Sequence, residues 1–564
     1  MDILYTEIKS CLENSLKSCF PSLVNIPLEI ELLLCRELSH GDLYSNIIFK
    51  LIPHLKKSFP EIEGVFLPKL RKEIEENVNL RKWIKKIDFK SPGFINFFLS
   101  EEYLCKSVGD CLREKEKFGS SNLGEGKTVL IEFVSANPTG PLNIAHGRQA
   151  AIGEALANIL NFLGYKVEKE YYINDEGVQM ENLAKSIWVR YRQILGEDKE
   201  FPDNGYKGEY IIDIARKIPL QKERFSEWDK KTYKFFSQFG CQEILKMIKE
   251  DLERLGVKFD HWREQSSLIN SGKVREAIDF LKRRGFIYEK EGALWFKSTV
   301  FGDDKDRVVV KSEGEFTYIA SDIAYHKDKY ERGFDILINL WGPDHHGYIP
   351  RLYSAIKALG YDEKRLKILI VQLATLYRDG KLVPLSTRAG NFIALEEVVK
   401  EIGKDVTRFF FLNRRRDSHL DFDIALAKRE SAENPVYYLQ YAYARINSLK
   451  KYAMEKGINL EEFIEKQTHS TFLISHLGEG EFKIIRILQQ FPYILIESAR
   501  NLEPNIIIVY LQALSKAFHQ YYSRFRIIDS DLEKSYARIM VALAGGIVLG
   551  NGLKLLGISL PERM

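Results

Sequence analysis

The first residues placed for chemistry run from Ala136 through Asn137, Pro138, Thr139, Gly140, Pro141, Leu142, Asn143, Ile144 and Ala145 to His146. They follow the β-branched run "TVLIEFVSA" and precede an amphipathic one, so they read as a strand, a stiff turn and a helix start. A helix N-terminus offers free backbone N–H groups and a partial positive charge, which suit a phosphate. Pro138 and Pro141 stiffen the turn, Gly140 supplies flexibility, and His146 falls in the first helical turn, able to donate a proton to a phosphate oxygen. A second group is Tyr318 and Asp322 in "TYIASD", four apart and so on one side of a turn if the segment is helical; alone they read as a core aromatic and a helix cap. A third is "WGPDHHGY", where Gly342 permits close approach and Asp344 or His345 could meet ribose hydroxyls. A metal is disfavoured there, because adjacent histidines on an extended chain point in opposite directions and no further ligand lies nearby.

These groups need a scaffold that delivers strand ends to one place. From Thr128 the pattern is α/β. "AAIGEALANILNFLGY" puts Ile152, Leu156, Ile159, Leu160 and Leu163 on one helical face with Gly164 as the stop, and "KVEKEYYI" is the next strand. This is the opening unit of a doubly wound parallel sheet, which binds ligands where strand order reverses. Later strands are expected at "FDILINLWG" and "KILIVQLATLY", and Trp341 and Phe133 in the core. The Lys-rich stretch at about 181–290 reads as a mostly helical insertion. Residues 1–115 mix helices and short strands, and the Gly-rich linker "KEKFGSSNLGEGK" separates them from the sheet domain at 120–425. Helices dominate 426–564, one starting near Asn434.

Composition narrows the classes. A net charge of +4 over 564 residues is no global polycation, so a nucleic acid must be met by local basic surfaces. The six cysteines show neither C-x-x-C spacing nor histidine neighbours at ligand distance, which argues against a zinc site and a disulfide framework. "MDILYTEIKSCLENSL" lacks the pattern of a signal peptide, and the apolar run near the end is broken by glycines and a lysine. A cytoplasmic protein is expected.

"EFVSANPTGPLNIAHGR" resembles the signature of the class I aminoacyl-tRNA synthetases, in the form found in the arginyl-tRNA synthetase family. The resemblance continues through "YYINDEGVQ", "YKGEYI", "FGDDKDRVVVKSEGEFTYIASDIAYHKDKYERGFD", "WGPDHHGYIPRLYSAIKALGY", "LSTRAGNFIALEEVVKEIG", "ENPVYYLQYAYARINSL" and "GLKLLGISLPERM", and reaches the first region through "HGDLYSNIIFKL" and "PGFINFFLS". It implies a class I Rossmann-like catalytic domain, an α+β N-terminal additional domain that meets tRNA, and an all-α anticodon-binding bundle.

The activity implied is arginine–tRNA ligation. Arginine attacks the α-phosphorus of ATP, held as its Mg²⁺ complex, and arginyl then passes to arginine tRNA. No tightly bound cofactor, no bound metal, no DNA and no membrane are implied, and a monomer is expected. By resemblance Glu132, Ser135 and Asn137 hold the α-amino and carboxyl end of arginine, and Tyr318 and Asp322 meet the guanidinium. Residues 136–146 with Gly342, Asp344 and His345 hold ATP. His146, Asn143, Ser386 and Arg388 act on the phosphates. In the last region Tyr437, Tyr438, Tyr441, Tyr443, Phe518, Tyr521 and Tyr522, with Arg445, Arg524 and Arg526, supply a minority of RNA-stacking groups, the rest being core.

The chain departs from the family at both phosphate motifs. HIGH reads Asn143-Ile144-Ala145-His146, and KMSK reads Pro384-Leu385-Ser386-Thr387. The lysine that some members carry before HIGH is replaced by Gly140. Two readings follow: Arg388, with Lys381 nearby, supplies the lost charge, or the chain is a catalytically decayed paralogue that binds tRNA.

Overall fold

The computed structural model describes residues 3–564 apart from 36, 56, 222, 379–380, 384, 387–390, 430–432 and 459–469. Five parallel strands form the central sheet: β1 (Thr128–Glu132), β2 (Lys166–Ile173), β3 (His261–Glu264), β4 (Ile336–Trp341) and β5 (Leu366–Ile370), in the order β5-β4-β1-β2-β3. β1 is covered on both faces, as a near-continuous apolar run requires of a central parallel strand: Val129, Leu130 and Ile131 are at most 1% exposed. Helix α1 (Ile144–Phe162) connects β1 to β2 and buries Ile152, Leu156, Ile159 and Leu160, with Gly164 left-handed just beyond it. Gly153 lies flush on the Phe133 ring, where a methyl would come within 2.4 Å, so the helix can approach the sheet only with glycine there.

The chain runs outward from β1 to β2 and β3, then returns to the other side of β1 for β4 and β5. The carboxyl ends of β1 and β4 therefore flank the switch point.

Two elements differ from the sequence expectation. The stretch at about 181–290 is helical at Lys230–Arg254 and Lys273–Arg283, but it also returns β3 to the main sheet. This edge strand reads His-Trp-Arg-Glu and is nowhere fully buried, so it carries no apolar signature. The run "KILIVQLATLY" is two strands, not one. After Ile370 the chain leaves the sheet, and Ala374–Arg378 pairs in parallel with Leu420–Asp423 and antiparallel with Lys381–Val383. The apolar run is continuous because both halves are buried, in different sheets.

The N-terminal region carries a four-stranded antiparallel sheet with Phe94–Leu99 and Ile84–Lys90 along one side. The Gly-rich linker is pinned rather than free. Phe118 stacks on Phe491, and Asn551 donates to the carbonyls of Lys115 and Phe118 at 2.9 and 3.2 Å. In the C-terminal region, Leu532–Leu555 is long and apolar enough to cross a membrane, yet 83% of its apolar window is buried inside the protein. Its glycines admit neighbours: a methyl on Gly546 or Gly552 would meet Ile446 or Leu511 within 2.9 Å. Phe518 and Tyr521 are core there, while Arg445 lies over the rings of Tyr441 and Tyr522 at 4.3 and 5.1 Å.

Candidate active site

The turn after β1 is strained. Val134 and Ser135 both hold positive φ, 66° and 38°, in a region that side chains, above all β-branched ones, avoid. Such strain costs about 1–3 kcal/mol per residue and persists only where surroundings impose it. Here the Ser135 hydroxyl donates to Glu132 Oε1 at 3.0 Å and accepts the Tyr172 N–H at 3.1 Å. Further on, Tyr171 donates to the Ala136 carbonyl, Tyr210 to the Thr139 carbonyl (both 2.8 Å), and Asn137 Nδ2 to Gln179 Oε1 at 2.7 Å. Gly140 is not needed for flexibility, since its φ is not positive. It makes room for Tyr210, whose hydroxyl would lie 2.9 Å from any added methyl. A lysine in its place would collide with that ring.

α1 then begins with a reciprocal cap. Asn143 Oδ1 accepts the N–H groups of Ala145 and His146 at 3.0 and 3.1 Å, and His146 Nδ1 accepts the Asn143 N–H at 3.3 Å. Because Nδ1 is an acceptor, the ring proton sits on Nε2. Burial lowers the His146 pKa to about 4, against a small opposing pull from the Asp344 carboxylate. The sequence suggests a proton donor; the structure holds a neutral imidazole whose one ring proton stands on Nε2. Asn143→Ala is expected to cost about 1 kcal/mol, read as a lowered urea midpoint, with Asn143→Asp retaining most of it.

The segment that follows Asn391–Phe392 closes on this cap. Leu395 N–H donates to the Leu142 carbonyl at 2.8 Å, Asn143 bridges Ala394, and a methyl on Gly147 would strike Leu395 at 2.5 Å. Leu385–Ser386 pairs with Asn391–Phe392, and Lys381 is exposed on the strand before it. Pro384, Thr387 and Arg388 lie outside the described residues. Arg148, fully buried, donates to the carbonyls of Gln372, Ser418 and Arg415 at 2.8, 2.9 and 2.8 Å, locking α1 to the segments that flank the loop. Beside the cap, a cavity of about 220 Å³ is lined by Ala136, Asn137, Thr139, Gly140, Pro141 and His146, with Gln179 and Tyr206.

On the other side of the switch point, helix α2 (Tyr318–Glu331) carries Tyr318 and Asp322 in its first turns. Tyr318 is 55% exposed, so the core reading of this ring does not hold. Its hydroxyl would lie 3.2 Å from a methyl on Gly177. Asp322 accepts a short hydrogen bond from the Tyr348 hydroxyl. Burial raises its pKa to about 6, helped by the nearby Glu132 charge and opposed by Tyr348, His345 and Lys329. Glu132 is 6% exposed and ion-paired with Lys329, itself fully buried and donating to Asn339 Oδ1 at 2.9 Å.

Pro343–Tyr348 is a 3₁₀ helix, capped by Gly342, rather than an extended chain; Asp344 and His345 are both exposed and 3.3 Å apart. A methyl on Gly342 would meet Asp344 Oδ1 at 2.5 Å, so the exposed Asp344 carboxylate takes this pose only beside a glycine. Among the described residues no three His, Cys, Asp or Glu side chains converge as a metal site. Phe133 is core, while Trp341 packs partly buried on Tyr348 and His345. Sequence reasoning assigned no role to Gln179, Tyr206, Tyr210, Lys329 or Tyr348. All five stand in stretches that carry the family resemblance, which is the signal the sequence offers.

Residues 107–420 match the family described as tRNA synthetases class I (R), catalytic domain; residues 6–99 match the arginyl tRNA synthetase N terminal domain, and residues 439–564 the DALR anticodon binding domain. The arginine–tRNA ligase of Citrifermentans bemidjiense is 43% identical over 564 residues, 99% of this chain and 100% of its own. That of Bacillus subtilis is 40% identical over 567 residues, 100% and 99% of the two chains. Among solved structures, a putative arginyl-tRNA synthetase from Campylobacter jejuni superposes with a TM-score of 0.75 at 34% identity, over 83% of this chain and all of that one. Thermus thermophilus arginyl-tRNA synthetase covers both chains fully with a TM-score of 0.77; at 19% identity it speaks to fold alone.

Proposed function

Because the chain belongs to the arginyl-tRNA synthetase family, we propose that its two half-sites divide the labour of arginine–tRNA ligation at the β1/β4 switch point. The reaction joins L-arginine to ATP, releasing pyrophosphate, and passes arginyl from the adenylate to the terminal ribose of tRNA. The attacking carboxylate is already ionised, so no general base is required. Rate must come from positioning and from charge stabilised at phosphorus.

The α1 end takes the phosphates of ATP, bound as its Mg²⁺ complex. Its N–H groups and the His146 Nε2–H donate to phosphoryl oxygens. Asn143 contributes by fixing His146, a role that needs an oxygen acceptor and not a cation. Gly342, Asp344 and His345 face the nucleoside. Arg388, Ser386 and Lys381 supply the second loop. On the α2 side, Asp322 and Tyr318 receive the guanidinium. Ser135, Asn137 and Glu132 hold the α-amino and carboxyl end, Glu132 through the one oxygen that Lys329 does not claim.

The observation that carries this reading is the capped His146, which presents Nε2–H at a helix N-terminus, across the switch point from Asp322, a carboxylate whose pKa burial raises and which accepts from Tyr348. A buried carboxylate pushed up to about 6 is one that a cation beside it would stabilise in its ionised form. A permanently charged guanidinium supplies one. The substituted phosphate motifs favour a second reading, a tRNA-binding paralogue without activation. ATP–pyrophosphate exchange with arginine, with and without arginine tRNA and with lysine and canavanine as controls, separates the two. Arginine-dependent exchange is expected; retained tRNA binding without exchange under any condition overturns the active assignment.

A further inference from the structure

We propose that Tyr348, held in place by Arg351 and Asp303, is the positioning residue that orients Asp322 and keeps it ready for the guanidinium. The inference rests on the reading of Asp322 as the guanidinium acceptor. It gives a task to the Phe301-Gly302-Asp303-Asp304 motif, which has no contact with substrate in that reading.

Tyr348 ends the 3₁₀ turn after β4 and is the cap residue of helix α3 (Ile349–Leu359), so both its flanks are fixed. Its hydroxyl donates to Oδ2 of Asp322, leaving Oδ1 for a second donor. One face of its ring carries the Arg351 guanidinium, centred 4.6 Å from the ring centroid. Arg351 is three residues on, one turn along α3, and its side chain is mostly buried. Its Nε is buried without a hydrogen-bond partner and stands 4.0 Å from Asp303 Oδ2. Asp303, whose side chain is 2% exposed, is gripped bidentately by Arg307 at 2.8 and 2.9 Å. That grip holds its carboxyl well below the usual range, so it stays charged throughout. The line Arg307–Asp303–Arg351–Tyr348–Asp322 thus runs from a loop outside the site to the acceptor itself.

The electrostatics point the same way. Groups from four segments face Asp322. Glu132 from β1 raises its pKa, while Lys329 from α2 and Tyr348 and His345 from the turn after β4 lower it. Tyr172 of β2 lies within electrostatic reach as well. Tyr348 is the only one of these in hydrogen-bond contact with the carboxylate among the described contacts. Removing its hydroxyl leaves burial and Glu132 less opposed. The carboxyl then stays protonated to higher pH, where it offers the guanidinium neither charge nor a second acceptor.

The test is arginine binding to the full-length protein by calorimetry from pH 5 to 8, without ATP. ATP is omitted because the Asp251 carboxyl, raised to about 7 by burial and by Glu396, lies against the Leu142 N–H under the phosphate turn. For the parent protein, affinity should fall as pH drops through about 6. Tyr348→Phe, which removes one oxygen, should move that limb up by roughly one pH unit, which by itself about halves binding at pH 7, and loss of the orienting hydrogen bond should bring the weakening there to ~10-fold. Arg351→Met should shift the limb the same way, and Arg351→Lys should restore it. If Tyr348→Phe leaves the limb unmoved while Asp322→Asn abolishes it, Tyr348 merely packs and the proposal fails. If Asp322→Asn keeps both affinity and limb, the reading of Asp322 fails first.

Discussion

Asp322→Asn is expected to raise the KM for arginine at least ~100-fold near pH 7.5 while leaving the unliganded protein as stable as its parent or more so. Breaking a desolvated charge pair from one side costs about 3–5 kcal/mol, because the remaining charge stays buried without a partner. The remaining charge here is the substrate's guanidinium, which cannot deprotonate to escape the penalty. Asparagine keeps the shape and can still accept from Tyr348, but its amide hydrogens would face the donors of the fork. The stability effect has the opposite sign. The folded-state pKa of Asp322 is raised to about 6, above the usual carboxylate value. The native state therefore binds this proton more tightly than the unfolded chain, and that stabilisation is present in acid and lost as pH rises through about 6. Above that pH the ionised carboxylate costs the empty fold up to roughly 3 kcal/mol, an upper bound for a partly accessible group. A neutral isostere removes the cost. Michaelis constants and urea midpoints of both proteins at pH 5.5 and 7.5 check the pair of signs. A variant that loses arginine affinity through misfolding would lose stability too.

The central scaffold could be read from local rules because its signals are local. The strand into β1, the helix α1 with its buried face, and the spacing of Tyr318 and Asp322 follow from period and from turn residues, and each stands where expected. What could not be read depends on contacts remote in sequence. Nothing near Gly140 announces that Tyr210, seventy residues on, needs the space of a side chain. Nothing in "HWRE" marks a sheet edge, since an edge strand need not be apolar. The positive φ of Val134 is legible only in three dimensions, for valine is the wrong residue to suggest it. Lys329 reads as one more surface cation in "HKDKYERG" and is instead fully buried against Glu132. The pair of histidines in "DHHGY" drew attention to metal chemistry, whereas the geometry of that turn serves Tyr348 behind them. Local rules bring forward the candidate places; tertiary contacts decide the protonation and orientation of the groups standing there.

His146→Ala is expected to lower kcat for arginine activation by ~10²–10³, the cost of losing one donor aimed at developing charge in a water-poor site. The substitution also strips the part-buried Asn143 N–H of its acceptor, at a cost of about 1 kcal/mol, the low end for an unpaired donor. His146→Gln separates the two effects. A glutamine at this third helical position can return its Oε1 to the Asn143 N–H, as in an ordinary capping box. It should therefore recover most of the stability. Its amide, held in that pose, cannot also reach the phosphates from the place of Nε2, so the kcat defect should persist. The pH profile supplies a further check. With its pKa at about 4, His146 is neutral through the whole working range. No acid limb of activation should therefore belong to the imidazole: the limbs from Asp322, at about 6, and from Asp251, at about 7, should both persist in His146→Gln. A limb near 6.5 that disappears in His146→Gln would mean that the imidazole acts as a cation, replacing the charge absent from the second loop. Its absence leaves charge neutralisation at the phosphates to the helix N-terminus, to Mg²⁺ and to the cations of the loop that begins at Lys381.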